Sequence, residues 1–180
     1  MPFVSGPSAA RRFFDRLAPR YDRINARIYK GEWLERVRAE LRGPRILDVG
    51  VGTGHTTGHL VDAVGIDLSS EMLRRARYAG DLVRANFESP PFRDQVFDTV
   101  VFAGSLYYLS DARKGLETAA RLLRPGGRIV VLSPATRLLS PFVRIFSEDE
   151  YASMATHAGL QLSNYVRLNW AACLVTAERP

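Results

Sequence analysis

Residues 46–54 read ILDVGVGTG, from Ile46 to Gly54, and residues 64–69 read VGIDLS, from Val64 to Ser69. A short apolar run suited to a buried strand leads into a loop with glycine at 50, 52 and 54; a short polar helix is expected next, then a second apolar strand ending on Asp67. In a parallel α/β sheet, ligands sit beyond the carboxyl ends of the strands. Glycines at such an end let the backbone turn tightly and approach a ligand with no Cβ in the way. An acid closing the neighbouring strand falls beside a ribose and accepts hydrogen bonds from its hydroxyls. The pattern predicts half of a nucleoside-binding site.

Spacing narrows the ligand. A dinucleotide fingerprint is G-x-G-x-x-G, whose third glycine opens the helix that faces a pyrophosphate. Here the loop is G-x-G-x-G, and His55 stands where that third glycine would fall. Asp48 precedes the loop, where it would repel a pyrophosphate and attract an ammonium group. A nucleoside joined to an amino acid fits better than a nicotinamide dinucleotide.

These residues carry a family resemblance. Asp48-x-Gly50-x-Gly52-x-Gly54 with Asp67 resembles the first two motifs of class I S-adenosylmethionine (SAM) dependent methyltransferases. Further along, Phe97-Asp98 followed by TVVFAGSLYYLSD to Asp111 resembles the fourth-strand motif, and LLRPGGRIVVLSP, Leu122 to Pro134, resembles the turn into the fifth strand. FFDRLAPRYDRIN, Phe13 to Asn25, is similar to the opening of the ubiquinone/menaquinone biosynthesis C-methyltransferases, in the methyltransferase type 11 group.

The resemblance implies SAM as cofactor and assigns its site. Gly50, Gly52 and Gly54 would lie under the methionine portion, Asp48 would help bind its ammonium, and Asp67 would hold the ribose. Leu68 and Met72 would pack on the adenine face. The third motif reads Ala85-Asn86-Phe87-Glu88, so Asn86 would offer an uncharged amide oxygen to the adenine amino group, with Phe87 stacking on the ring or belonging to the core. Ser105, just after the fourth strand, would also contact the cofactor, while Tyr107 and Tyr108 beside it, with Tyr21, are the candidates to wall the acceptor pocket or orient the substrate. An unperturbed tyrosine is a poor base at neutral pH, and methyl transfer asks the protein mainly for alignment and exclusion of water.

The expected fold is α/β: a Rossmann-like, doubly wound, seven-stranded, mostly parallel sheet with a C-terminal antiparallel hairpin and an N-terminal helical cap. Cap helices are expected over 8–17, 20–29 and 31–41, and strands over 45–50, 63–67, 82–85, 96–103 and 127–133, with helices between the strands. SEDEYASMATHAG carries an N-cap serine and an acidic first turn, so a helix should start after Ser147 and end near Gly159. LQLSNYVRL and AACLVTAE read as the closing pair. The division into 1–43 (cap), 44–134 (SAM-binding core) and 135–180 (short lid, helix and closing strands) treats the 180 residues as one domain. Within the last part, LLSPFVRIF is apolar enough to form a small lid or one wall of a hydrophobic pocket.

Composition bounds the rest. With 46% hydrophobic residues the chain can bury one substantial core. It has no uninterrupted apolar stretch of about 18 residues to span a membrane, and the apolar part of MPFVSGPSAARR is too short for a signal peptide; a cytoplasmic location is expected. Cys173, in an apolar setting, reads as a small core residue, and His55, His59 and His157 lack metal-ligand spacing, so no metal is expected. His59 and His157 read as surface residues, while His55 either meets the cofactor carboxylate or is solvated.

The net charge of +6 belongs wholly to the first 45 residues, where ten arginines and Lys30 face five acids. Arg12, Arg16, Arg20, Arg23 and Arg27 recur at three- and four-residue steps, with Phe13, Leu17, Ile24 and Ile28 on other faces. Such a stripe is a solvated face, or it meets an anionic membrane surface, an acidic substrate or RNA phosphates. The function expected is methyl transfer to carbon or oxygen of a small, partly apolar acceptor such as an aromatic or quinone-like precursor. The alternatives are an RNA methyltransferase, for which no Asn-Pro-Pro-Tyr motif follows the fourth strand, and a non-catalytic SAM-binding regulatory subunit.

Overall fold

The computed structural model describes residues 6–28 and 31–180. The cap comprises α1 (Pro7–Leu17), α2 (Tyr21–Ile28) and α3 (Gly31–Ala39). Tyr29, at the expected end of the second cap helix, lies outside the described residues, as do the side chains of Arg27 and Ile28. The core follows as β1 (Ile46–Val49), β2 (Val64–Asp67), α4 (Ser70–Leu73), β3 (Asp81–Arg84), β4 (Phe97–Ala103), α5 (Ala112–Leu122) and β5 (Leu123–Pro134). The chain closes with α6 (Glu148–His157), β6 (Gln161–Arg167) and β7 (Ala172–Glu178).

All seven strands join one sheet in the order β3-β2-β1-β4-β5-β7-β6. The first five are mutually parallel, and β7 runs antiparallel between β5 and β6. The expected architecture is therefore present, antiparallel closing pair included. Strand order reverses between β1 and β4, and this opens a crevice at their carboxyl ends.

Alternation along the strands divides the core between the two sheet faces. Leu47, Val49, Val100, Phe102, Ile129 and Val131 pack with Leu116 and Ala119 of α5 and Tyr151 and Met154 of α6. Ile46, Val101, Val130, Leu132 and Leu174 face the other way, against Trp33 and Val37 of α3. Both faces are covered, which is why the strands read as continuous apolar runs. The α6 terminus carries the expected N-cap: Ser147 Oγ accepts from the Glu150 N–H while the Glu150 carboxylate accepts from the Ser147 N–H.

The connections depart from expectation. No helix follows the glycine loop; residues 50–63 are turns and irregular backbone, α4 is a single turn, and 85–96 contains no helix. The backbone groups that a helix would use are engaged elsewhere: the Arg77 N–H donates to the Thr53 carbonyl at 3.1 Å, and the Ala79 N–H to the Gly58 carbonyl at 2.8 Å. In the 85–96 stretch, Pro90 and Pro91 remove two donors and restrict the backbone. No helix among the described residues is long and apolar enough to cross a membrane.

Candidate functional site

A cavity of about 760 Å³, its open mouth included, lies at the carboxyl ends of β1, β2 and β4 under the cap. Gly50 and Gly52 form one edge, Asp67 and Leu68 the next, and Met72, Asn86 and Phe87 the far wall. Ser105 and Tyr108 close it from β4, and Tyr21 enters from the cap.

Asp67 is held in place by backbone. Its Oδ2 accepts from the Gly52 N–H at 2.9 Å and its Oδ1 from the Ser69 N–H at 2.8 Å. Each carboxylate oxygen keeps a further lone pair for a ligand hydroxyl. Burial raises its pKa above the ordinary value, opposed by the Ser69 and Gly52 N–H groups and aided by the Asp15 charge.

Gly50 has φ of +70°, and a Cβ there would stand 2.6 Å from the Ser105 Cβ. Ser105 donates its hydroxyl to the Val49 carbonyl, joining the ends of β1 and β4 at the crevice. Asn86 lines the cavity with its amide oxygen already accepting from the Glu88 N–H at 3.1 Å. Phe87 is buried edge-on against Phe102, at 5.3 Å between centroids, and also borders the cavity.

Four expected features do not reach the cavity wall. Asp48 is 1% exposed, and its Oδ2 accepts from the Thr57 hydroxyl at 2.7 Å. Strand alternation turns it toward the α3 side, opposite Leu47 and Val49, so it lies behind the loop. Gly54, with φ of +89°, backs onto the connection after α4: a Cβ would stand 2.6 Å from the Arg77 carbonyl oxygen. Tyr107 is buried, whereas its neighbour Tyr108 lines the cavity. Residues 135–146 contribute nothing to the wall. The chain leaves β5 past the crevice, and Arg144 ties the segment to the Ser110 carbonyl at 2.9 Å.

The cap supplies residues that the sequence reading missed. Pro7, Ala10, Arg11 and Phe14 of α1 line the cavity. Phe14 packs edge-on against both Tyr21 and Tyr108, at 6.0 and 5.2 Å, making one aromatic wall. Phe14 lies in α1 and Tyr21 opens α2, so no single helix's periodicity pairs the two rings and no local pattern signals their contact. Two cap carboxylates hold the ligand loops. Asp15 accepts from the Ser69 hydroxyl at 2.5 Å, and Asp22 accepts from the Thr53 hydroxyl at 2.7 Å and lies 3.1 Å from His55 Nε2. The bonds from Thr53 and His55 bring the Asp22 pKa below its ordinary value, against a burial contribution of opposite sign. His55 is thus paired with the cap. Arg12, Arg16, Arg20 and Arg23 are exposed.

Residues 47–131 match the model of the methyltransferase domain family Methyltransf_11. The chain is 36% identical over 146 residues to the demethylmenaquinone methyltransferase of Clavibacter sepedonicus, a match covering 72% of this chain and 60% of that protein. It therefore spans about three fifths of that relative's length. It is 30% identical over 169 residues to the demethylmenaquinone methyltransferase of Corynebacterium kroppenstedtii, covering 88% of this chain and 74% of the relative. Among solved structures, a SAM-dependent methyltransferase from Thermotoga maritima superimposes with a TM-score of 0.81 at 21% identity, over 94% of this chain and 98% of that one. The fold, the ordered motifs and these relatives lead to one conclusion: the chain belongs to the class I SAM-dependent methyltransferases.

Proposed function

We propose that the chain binds SAM in the cavity under the cap and transfers its methyl group to carbon or oxygen of a small, partly apolar acceptor, such as an aromatic or quinone-like precursor. The observation that carries this is Asp67, held by two backbone N–H groups at the edge of a cavity bounded by the glycine loop. The residues present fit the cofactor. Asp67 offers free lone pairs for ribose hydroxyls, Leu68 and Met72 form an apolar flank for the adenine, and Asn86 stands at its rim. Gly50 and Gly52 leave the methionine side open to a ligand.

Bound SAM supplies an activated methyl group on sulfur. The chain's part is placement: Phe14, Tyr21 and Tyr108 present an aromatic wall suited to a flat acceptor ring, which aligns the acceptor with the methyl group. Tyr21 and Tyr108 also carry hydroxyls that can orient an acceptor oxygen. Asp48, Gly54 and Tyr107 act from behind, by holding the loop and the wall. The relatives' name, demethylmenaquinone methyltransferase, supports a quinone-like acceptor. A screen of acceptor extracts with methyl-labelled SAM tests the reading. Label in an apolar aromatic product is the expected result; label in RNA alone, or no product from a chain that binds SAM, overturns it.

A further inference from the structure

The exposed side chains at the ligand end of the sheet are sorted by character. Leu138, Phe142 and Trp170 are 75%, 60% and 68% exposed. Leu138 and Phe142 lie on the segment that leaves the carboxyl end of β5, and Trp170 on the turn that enters β7. Because β7 is antiparallel to β5, both segments lie at the same end of the sheet as the glycine loop. The Ala135 N–H donates to the Ala171 carbonyl at 2.8 Å and joins the two segments.

The cap covers this end with its charges divided. The carboxylates of Asp15 and Asp22 are bonded to Ser69, Thr53 and His55 of the ligand loops. Arg12, Arg16, Arg20 and Arg23 are exposed, and among the described residues none has an acidic partner. Arg137 and Arg167 add cations beside the apolar side chains, and Arg167 donates to the Trp170 carbonyl at 3.3 Å.

We propose that this end of the molecule docks on an anionic phospholipid surface, with Leu138, Phe142 and Trp170 entering the headgroup boundary and the cap arginines meeting the lipid charges. Tryptophan and aliphatic tips framed by arginine are the composition that partitions to a membrane interface. Unpaired cations on the same end are drawn to its negative potential. Neither part depends on which acceptor is methylated. A lipid-dissolved acceptor would meet the cavity from this side.

The protein carries two tryptophans, and Trp33 is buried, so a change in emission on adding vesicles reports Trp170. The test is co-sedimentation and tryptophan emission with vesicles of phosphatidylcholine alone and of phosphatidylcholine with phosphatidylglycerol. The expected result is retention on the anionic vesicles with a blue shift, falling about tenfold when salt is raised to about 0.5 M. The Leu138→Ser/Phe142→Ser variant, and separately Arg12, Arg16, Arg20 and Arg23 all changed to Gln, should each lower retention by about fivefold or more. Both variants should keep the affinity for S-adenosylhomocysteine (SAH), the demethylated cofactor. SAH titration in the same samples separates a failed cofactor reading from failed docking. Docking is overturned by no retention on anionic vesicles, by retention indifferent to the four arginines, by a shift that appears with polyuridylate and not with vesicles, or by one that follows protein concentration alone.

Discussion

The Thr57 hydroxyl donates a 2.7 Å hydrogen bond to the Asp48 carboxylate, and both residues are buried beneath the glycine loop. The Tyr78 hydroxyl stands 2.8 Å from the same Thr57 oxygen, so an acid of β1 is linked to the connection after α4. Burial, with the charge of Asp67, raises the Asp48 pKa from 3.8 to about 7, against the Thr57 bond. The folded state holds a proton that the unfolded chain releases above about pH 4. Wild-type stability should therefore fall as pH rises from about 4 to about 7, by an amount of order 4 kcal/mol, and level off above. Asp48→Asn should remove most of this slope and be more stable than wild type at high pH. Urea unfolding of both proteins across that pH window checks it; an unchanged slope in the variant would refute the assignment.

Asp67 carries two duties that one substitution separates. Asp67→Ala loses the acceptors of the Gly52 and Ser69 N–H groups and any ribose contact, so SAH affinity should fall by about 1–3 kcal/mol and the loop should loosen. Asp67→Asn keeps one acceptor oxygen and should lose less of both. Calorimetry with SAH beside thermal unfolding measures the two effects; full affinity in the alanine variant contradicts the site.

Asp22 fastens the cap to the loop through Thr53 and His55. Its lowered pKa means that this contribution is present above the ordinary carboxylate range and lost as pH falls through the folded value. The group is largely exposed, so its effect on global stability should be small. Asp22→Asn should instead free the cap locally, seen as faster tryptic cleavage at Arg20 and Arg23. An unchanged cleavage rate would place the cap's anchorage elsewhere, with Asp15 and Ser69 the next pair to examine.

Gly54→Ala should destabilise the chain by about 1–3 kcal/mol, because its φ of +89° is strained for alanine and the added Cβ would meet the Arg77 carbonyl oxygen at 2.6 Å. Loss of stability should exceed loss of SAH affinity measured where the variant is folded. The reverse order would return Gly54 to the ligand wall.

Much of the fold was legible because its signals are local. Continuous Val, Ile and Leu runs mark strands covered on both faces, and Ser147 with Glu150 marks the start of α6. The missing helices were not legible: residues 53–59 are polar and helix-like in isolation, yet the Thr53 and Gly58 carbonyls are taken by the Arg77 and Ala79 N–H groups. Of the site, Asp67, Gly50, Gly52, Leu68, Met72, Asn86, Phe87, Ser105, Tyr21 and Tyr108 do converge on one cavity. Asp48, Gly54 and Tyr107 have the right residue types at the right spacing and still point elsewhere.

By itself, then, the sequence determined the strands, the turn at the glycine loop and the acid that closes β2, since each follows from residue type and short-range periodicity. Tertiary structure alone decided which side of the loop Asp48 faces, which of Tyr107 and Tyr108 meets the ligand space, and that Asp15 and Asp22 hold Ser69 and Thr53. Those pairs are 54 and 31 residues apart. Only the folding of the cap over the carboxyl ends of the strands brings them within hydrogen-bond distance, and no local pattern encodes that approach.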